Sequence, residues 1–214
     1  MPYTKKQQNW VLGWAIATSV IFTAYVVNRA FVALQCPSLT DTDLEKYDAD
    51  NYLGIWYELR RAKNIPFEDG ECVTAQYTKR DDGLIKVDNN QYYGWNGGPD
   101  EKRGGIGSAE ISTFFPGHLF VSFFLDIGGR YRILDTDYTS YVVVYSCENA
   151  VAGAVLFSEY SWVLTRDPIV DGSAEFDAMM AKVDEVYKRV IPDYDHKNLM
   201  QTTQHGAQCK YFTK

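Results

Sequence analysis

The sequence lacks a surplus of basic residues. It has 21 lysines and arginines against 28 aspartates and glutamates in 214 residues, which gives a formal net charge of -7 at pH 7. Proteins that bind nucleic acids present a basic face to the phosphate backbone. The charge balance therefore excludes nucleic-acid binding as the main function.

The sequence is also poor in the residues that carry catalysis or bind metals. Its only histidines are His118, His196 and His205, and none has a second His or Cys at the spacing of a zinc site. It has no G-x-S-x-G nucleophile motif and no glycine-rich loop that leads into a helix to hold phosphate. We therefore predict a protein that is not an enzyme, with no cofactor and no metal site.

After residue 50 the chain is a succession of short β-like runs separated by turn residues. Hairpin spacing without interleaved helices excludes a parallel βαβ sheet and fits an antiparallel barrel or sandwich. Alternating side chains in the last run support closure around a lining. The eight predicted strands are Gly54–Lys63, Glu71–Lys79, Leu84–Asn89, Gly107–Ser112, His118–Leu125, Tyr131–Thr136, Tyr141–Cys147 and Val155–Arg166.

The hydrophobic period then changes from two to 3.6. Apolar residues from Phe176 to Val190 recur on one face, which predicts an amphipathic helix packed against the sheet. Asp171 or Ser173 can cap its start, and Pro192 ends it.

Three short motifs follow one another along the predicted strands. The residues GIWYE begin the first strand, TDY lies between the sixth and seventh strands, and an arginine ends the last one. In order and rough spacing they resemble the three motifs of the lipocalin family. The resemblance implies an all-β, eight-stranded antiparallel up-and-down barrel with one C-terminal α-helix packed outside. The motif residues are Gly54, Trp56, Thr136, Asp137, Tyr138 and Arg166.

An inward-facing arginine at the barrel floor needs an aromatic face and backbone carbonyls to satisfy its donors. We therefore expect a cation–π pair between Arg166 and Trp56, which would stabilise the fold and take no part in catalysis.

The four cysteines allow three pairings, and their spacing does not choose among them. Their positions are similar to those of apolipoprotein D-like lipocalins. That resemblance implies the disulfides Cys36–Cys147 and Cys72–Cys209, which would tether both ends of the chain to the barrel. The alternative is four reduced, buried thiols.

The resemblance also implies an aromatic ligand pocket. Its expected lining is Tyr52, Tyr77, Phe123, Tyr131 and Trp162. Strand alternation adds Tyr160 and Tyr141. Such a wall suits an elongated apolar molecule with one polar group, such as a lipid, a fatty acid or a sterol. The alternative is that the rings fill the barrel and leave no cavity.

Two functions therefore compete. The first is a lipocalin that binds a small hydrophobic ligand in its barrel. The second is an accessory or structural subunit of a membrane protein complex that uses the barrel as an interaction module. An open cavity favours the first function, and a barrel filled by side chains favours the second.

The segment Trp10–Cys36 is apolar, and no acidic residue precedes Asp41. Gln35 stands where a lipoprotein signal needs a small residue, and no clean cleavage site of a secretory signal peptide precedes Cys36. At 1.5 Å per residue, an apolar helix over residues 10–27 would span about 27 Å, close to the hydrocarbon thickness of a bilayer. We predict a single-pass membrane anchor in residues 1–35, with a helix at about 10–34, and a lipocalin domain in residues 36–214.

The basic pair Lys5 and Lys6 predicts that the N-terminus faces the inside and the barrel faces an oxidising compartment. The sequence contains no N-x-[ST] glycosylation site. The mitochondrial intermembrane space and the secretory lumen or cell exterior are therefore both open, as is the identity of any partner subunit in the membrane.

Overall fold

A computed structural model describes residues 5, 14, 16, 18–24, 36, 37, 39, 47–95, 97–115, 117–123, 128–149 and 158–211. The chain divides into two units, Met1–Cys36 with Asn149–Phe157 and Pro37–Glu148 with Ser158–Lys214. The sheet and the helices described next all lie in the second unit.

Within the described residues of this second unit, one sheet of nine antiparallel strands forms the barrel. β1 pairs with both β2 and β8, which closes the ring of eight strands, and β9 adds to the far end of β1. The strands are β1 (Gly54–Ala62), β2 (Glu71–Lys79), β3 (Ile85–Tyr92), β4 (Lys102–Ile111), β5 (His118–Ser122), β6 (Gly128–Thr136), β7 (Tyr141–Glu148), β8 (Ser158–Thr165) and β9 (Met200–Thr202). The predicted eight-stranded antiparallel barrel is confirmed.

Several predicted strand ends were wrong. β4 begins at Lys102, before the predicted start at Gly107, and it pairs with β3 as far as Tyr92. The glycines permit this pairing because a Cβ at Gly104 would lie 2.4 Å from Asn90 Oδ1. Residues 124–125 and 155–157, which were expected to be strand, lie outside the described part of the chain.

In the described part of the second unit, three helices accompany the sheet: α1 (Ala49–Tyr52), α2 (Ala174–Val190) and α3 (His196–Leu199). The Ser173 side chain accepts a hydrogen bond from the backbone N–H of Phe176 and so caps α2 at one of the two expected residues. Val183, Val186, Tyr187 and Val190 form the buried face of this helix.

This buried face of α2 packs on the outer wall of the barrel. The Tyr187 hydroxyl lies 2.7 Å from Ser161 Oγ on β8, and Arg189 pairs with Asp135 on β6. The predicted outer helix is therefore confirmed.

The closed end of the barrel is built around Trp56, which is fully buried. The guanidinium carbon of Arg166 stands 3.6 Å from the centre of the Trp56 ring. Arg166 also donates hydrogen bonds to the backbone oxygens of Tyr138, Ile55 and Asn51, at 2.9, 3.0 and 2.9 Å. One side chain thus joins β1, α1 and the β6–β7 loop.

The first residue of β1 must be glycine for this contact to form. Gly54 has a φ of +102°, and a Cβ there would lie 3.3 Å from Arg166 Nη1. A larger residue would be strained by its backbone and would crowd the guanidinium.

The β6–β7 loop is held by the TDY residues. Thr136 Oγ1 donates to the backbone oxygen of Tyr141 at 2.6 Å, and Asp137 Oδ1 accepts from the backbone N–H groups of residues 139–141. The Tyr138 hydroxyl accepts a hydrogen bond from the backbone N–H of Asp48, just before α1. The loop and α1 therefore close the floor together.

Cys72 and Cys209 form a disulfide with an S–S distance of 2.07 Å, which ties the C-terminal segment to β2. Cys36 and Cys147 are disulfide-bonded as well, so no cysteine in the chain is free.

Most of the predicted membrane anchor lies outside the described residues. Those that are described, Lys5, Trp14, Ile16 and residues 18–24, are helical. Among the residues that the structure describes, no helix is both long enough and apolar enough to cross a membrane.

The Arg166–Trp56 contact generates a stability prediction. Substituting Arg166→Met removes the cation–π contact and the hydrogen bonds to three backbone carbonyls, so we expect the free energy of unfolding in urea to fall by about 2–4 kcal/mol. The matched control is Arg103→Met, because Arg103 lies 4.4 Å from the centre of the Tyr93 ring but is exposed. This control should change stability by no more than about 0.5 kcal/mol. Equal effects of the two substitutions would contradict the role of the floor contact.

Candidate functional site

The barrel encloses an open cavity of about 270 Å³. A second hollow of about 470 Å³ adjoins its mouth, between the β3–β4 side and the loop that precedes β2. The two share the lining residues Phe67, Glu68, Val73, Asn89 and Phe123. The aromatic side chains therefore leave the barrel open, contrary to the alternative of a filled barrel.

Aromatic rings form one wall of the cavity from its depth to its mouth. The ring centres of Tyr131 and Trp162 are 6.4 Å apart, those of Trp162 and Tyr160 are 6.0 Å apart, and those of Tyr160 and Phe67 are 6.3 Å apart. Aliphatic side chains face them, including Val73, Val87, Val121 and Leu164. This surface favours an apolar molecule.

Three tyrosine hydroxyls meet at the bottom of the cavity. Tyr131 Oη lies 2.8 Å from Tyr52 Oη and 3.0 Å from Tyr77 Oη. Burial raises the pKa of each of these phenols above its ordinary value. All three hydroxyls therefore stay neutral, and their hydrogen bonds to one another satisfy polar groups that water does not reach.

Four of the five residues expected to line the pocket lie on the cavity wall: Tyr77, Phe123, Tyr131 and Trp162. Tyr52 is fully buried and is not on the wall; its hydroxyl lies 2.8 Å from Tyr131 Oη, and its ring centre lies 5.0 Å from that of Tyr77. Tyr160, the first of the two residues added by alternation, also lines the cavity.

The expectation for Tyr141 was wrong. Val142 and Val144 of β7 face the barrel core, so Tyr141 points outwards, where Lys182 of α2 lies 4.7 Å from its ring centre. Side chains do alternate along β7. Which of the two alternating sets faces the barrel depends on the register between β7 and β8, and the sequence does not give that register.

Two carboxyl groups on the cavity wall were not foreseen. Glu58 lies on β1, and Glu68 lies in the loop before β2. Glu58 Oε1 accepts hydrogen bonds from Arg61 Nη1 at 2.8 Å and from the Thr203 hydroxyl. Glu68 Oε2 accepts one from Trp162 Nε1 at 2.8 Å, and the neighbouring Glu58 carboxyl helps to raise the pKa of Glu68.

A β-bulge in β1 brings Glu58 and Arg61 to the same side of the sheet. The register with β8 shifts between Glu58 and Arg60, so Glu58 lies opposite Leu164 and Arg61 lies opposite Trp162. Without the bulge, residues three apart in a strand would face opposite ways. The bulge therefore supplies Glu58 with a buried cation.

The environment of Glu68 favours its neutral form. Burial, reinforced by the nearby Glu58, raises the pKa of the Glu68 carboxyl from 4.5 to about 8, although the Trp162 N–H and Arg61 act in the opposite direction. At neutral pH the pair therefore holds a proton, and Glu68 is mostly uncharged.

Behind this pair, His205 completes the packing. Burial lowers the pKa of His205, so its ring is neutral. Its Nε2–H donates to the backbone oxygen of Glu58 at 2.7 Å, and its Nδ1 accepts from the Tyr211 hydroxyl at 2.7 Å. His205 thus acts as a structural residue that fixes the C-terminal segment on β1.

Part of this polar site had a signal in the sequence. Glu58 is two residues after Trp56, so alternation places it on the inner face of β1. The bulge that turns Arg61 inwards and the loop that returns Glu68 to the barrel have no periodic pattern. Over the described part of the chain, no three His, Cys, Asp or Glu side chains come together as a metal site.

The raised pKa of Glu68 predicts a specific dependence of stability on pH. Between about pH 4.5 and 8 the folded protein binds a proton at Glu68 that the unfolded chain has released, so stability falls as the pH rises through this range. The variant Glu68→Gln cannot ionise, so it should lose less stability over this range. In urea titrations, the free energy of unfolding of the variant, relative to that of the wild type, should therefore increase from pH 5 to pH 8. Glu159→Gln, on the outer face of β8, is the control. Parallel pH profiles of wild type and Glu68→Gln would contradict the assignment.

Comparison with known proteins agrees with this architecture. Residues 47–204 match the family described as Lipocalin-like domain. Apolipoprotein D of Cavia porcellus is 33% identical over 140 residues, which cover 65% of this chain and 70% of that protein. The outer membrane lipoprotein Blc of Vibrio cholerae is 35% identical over 131 residues, 58% of this chain and 68% of that protein. Lobster apocrustacyanin A1 has the same fold, with a TM-score of 0.61 at 21% identity over 79% of this chain and 89% of its own. The barrel, its floor motifs and these similarities together show that the chain belongs to the lipocalin family.

Proposed function

We propose that this protein binds a small hydrophobic molecule in the cavity of its barrel. The observation that carries the proposal is the open cavity of about 270 Å³ with aromatic and aliphatic walls. A volume of this order accommodates a single chain-like or ring-like molecule, and a closed eight-stranded barrel leaves room for one small ligand.

The proposed contacts come from the inner faces of three strands and from the residue that follows β5. Tyr77 on β2, Tyr131 on β6 and Trp162 on β8 would enclose the apolar body of the ligand, and Phe123 after β5 would cover it near the mouth. Tyr52 would act from below by holding Tyr131 through its hydroxyl. The open cavity favours this function over that of an accessory subunit of a membrane complex.

As part of the same proposal, the segment at residues 10–34 anchors the barrel at a membrane. Its described apolar side chains are exposed, with Trp14 64%, Ile21 69% and Phe22 68% accessible. Exposed apolar residues in sequence on a helix are costly in water and favourable in a bilayer. The disulfide Cys72–Cys209 supports a barrel on the oxidising side of that membrane.

The binding proposal predicts that filling the cavity abolishes binding. Val121 lines the cavity, whereas its neighbour Phe120 is on the outer face of β5 and 45% exposed. In a titration with the uncharged dye N-phenyl-1-naphthylamine, displaced by decanol, Val121→Trp should weaken binding at least about tenfold because its ring occupies the ligand volume. Phe120→Trp places the same indole ring on the outer face of the barrel and should leave binding unchanged.

Near-ultraviolet circular dichroism and urea unfolding should confirm that both variants fold. Binding that persists in a folded Val121→Trp, or that is lost equally in Phe120→Trp, would overturn the proposed site.

The anchor proposal predicts how the native protein fractionates. The full-length chain should remain in the membrane pellet after alkaline carbonate extraction, and its N-terminal sequence should include Tyr3–Trp10. Replacing Val20 and Ile21 by arginine should release it, since each arginine costs about 2.5–3.5 kcal/mol at the centre of a membrane helix. The exposed Phe114 in the β4–β5 loop provides the control, as Phe114→Arg should leave the protein in the pellet. A soluble mature chain that begins near Cys36 would overturn the anchor.

A further inference from the structure

We propose that the cavity selects an amphiphile whose polar end is a protonated amine, held between the Glu58 and Glu68 carboxyl groups. The inference rests on the proposed binding function and names the chemical class of the ligand. It excludes a fatty acid as the preferred ligand, although the aromatic lining alone would accept one.

The first argument is the balance of charge around the pair. Glu58 is compensated by Arg61 in a buried ion pair at 2.8 Å. Glu68 forms no ion pair among the described residues, and its one directional donor is the neutral Trp162 N–H. A negative charge on Glu68 would therefore be offset only by Arg61, which already pairs with Glu58, unless the ligand brings a second positive charge into the cavity.

The other charged groups near the pair do not supply that positive charge. Glu71 adds a further acid beside Arg61, and Tyr77 and His205 are neutral. Arg130, on the opposite side of the cavity mouth, is paired with Glu148 at 3.7 Å. The surroundings are thus rich in acceptors and short of available cations.

The second argument is an unsatisfied acceptor on the same wall. Asn89 lines the cavity, and its Oδ1 is buried without a hydrogen-bond partner among the described residues. A buried acceptor without a donor costs about 1–3 kcal/mol. An ammonium group offers three donors, whereas an alcohol offers one and a carboxylate offers none.

Proton balance distinguishes the three end groups. The amine enters as its ammonium ion, Glu68 ionises to pair with it, and the proton of Glu68 passes to solvent. The pair then carries one positive charge from Arg61 and one from the ligand against two carboxylates. Because the empty site holds that proton below about pH 8, affinity for the amine should rise as the pH rises, by up to about tenfold per unit.

The test compares decylamine, decanol and decanoate, which share one chain length and differ in the end group. Their binding to the full chain is measured by calorimetry at pH 6, 7 and 8, in buffers with different ionisation enthalpies that reveal proton release. Decylamine should bind tightest at pH 8, gain more than about tenfold in affinity from pH 6 to pH 8, and release close to one proton at pH 6. Decanol should show little pH dependence, and decanoate should bind most weakly.

The variant Glu68→Gln tests the residue directly. Glutamine keeps the size of the side chain and can still accept from the Trp162 N–H, so the loop should keep its fold. The ratio of decylamine to decanol affinity at pH 8 should fall about tenfold, and proton release should disappear. Glu159→Gln removes the same charge from the outer face of the adjacent strand and should leave that ratio unchanged.

The possible failures are distinguishable. Tighter binding of decanoate or decanol than of decylamine at pH 8, or proton release that persists in Glu68→Gln, would overturn the amine assignment while the binding function stands. Failure of all three molecules to bind would overturn the binding function, and the assignment with it.

Discussion

The stacking of Arg166 on Trp56 is the contact on which the barrel depends. A single guanidinium lies 3.6 Å from the indole centre and donates to carbonyls of β1, α1 and the β6–β7 loop. Hydrogen bonds from a charged donor are stronger than those between neutral groups, and the planar guanidinium lets arginine stack while it donates. These bonds close one end of the barrel, so a cavity inside it can open only at the other.

Because the floor is closed, the polar groups inside the barrel must find their partners within the barrel or on a ligand. The hydroxyls of Tyr52, Tyr77 and Tyr131 satisfy one another, which leaves the deep cavity neutral. Glu58 and Glu68 lie higher on the wall, where Glu58 forms an ion pair and Glu68 forms none with the residues that the structure describes. The same interior therefore contains tyrosine hydroxyls that satisfy one another and a carboxyl pair that is one positive charge short. A ligand with a protonated amine would supply that charge.

Strand alternation and the lipocalin motifs predicted the barrel, its floor and most of its aromatic lining. Tyr77, Tyr131 and Trp162 were implied by the family resemblance, and each lies in a regular strand with its side chain on the cavity wall. Tyr141 was misplaced because the phase of β7 depends on its register with β8, which no single sequence shows. Arg61 and Glu68 were missed because a bulge and a loop position them, and neither follows a period.

The carboxyl pair also conflicts with what stability alone would favour. A carboxyl with a pKa raised to about 8 destabilises the fold as it ionises, and a buried ion pair such as Glu58–Arg61 is often no more stable than a well-packed apolar replacement. In a barrel that already has Trp56, Arg166 and a disulfide to stabilise it, apolar residues at these positions would serve the fold better. Departures from such local rules concentrate at functional sites, because the cost is recovered only when a ligand is bound. The position of the pair on the cavity wall, rather than on the outer face, therefore supports the proposal that it serves binding.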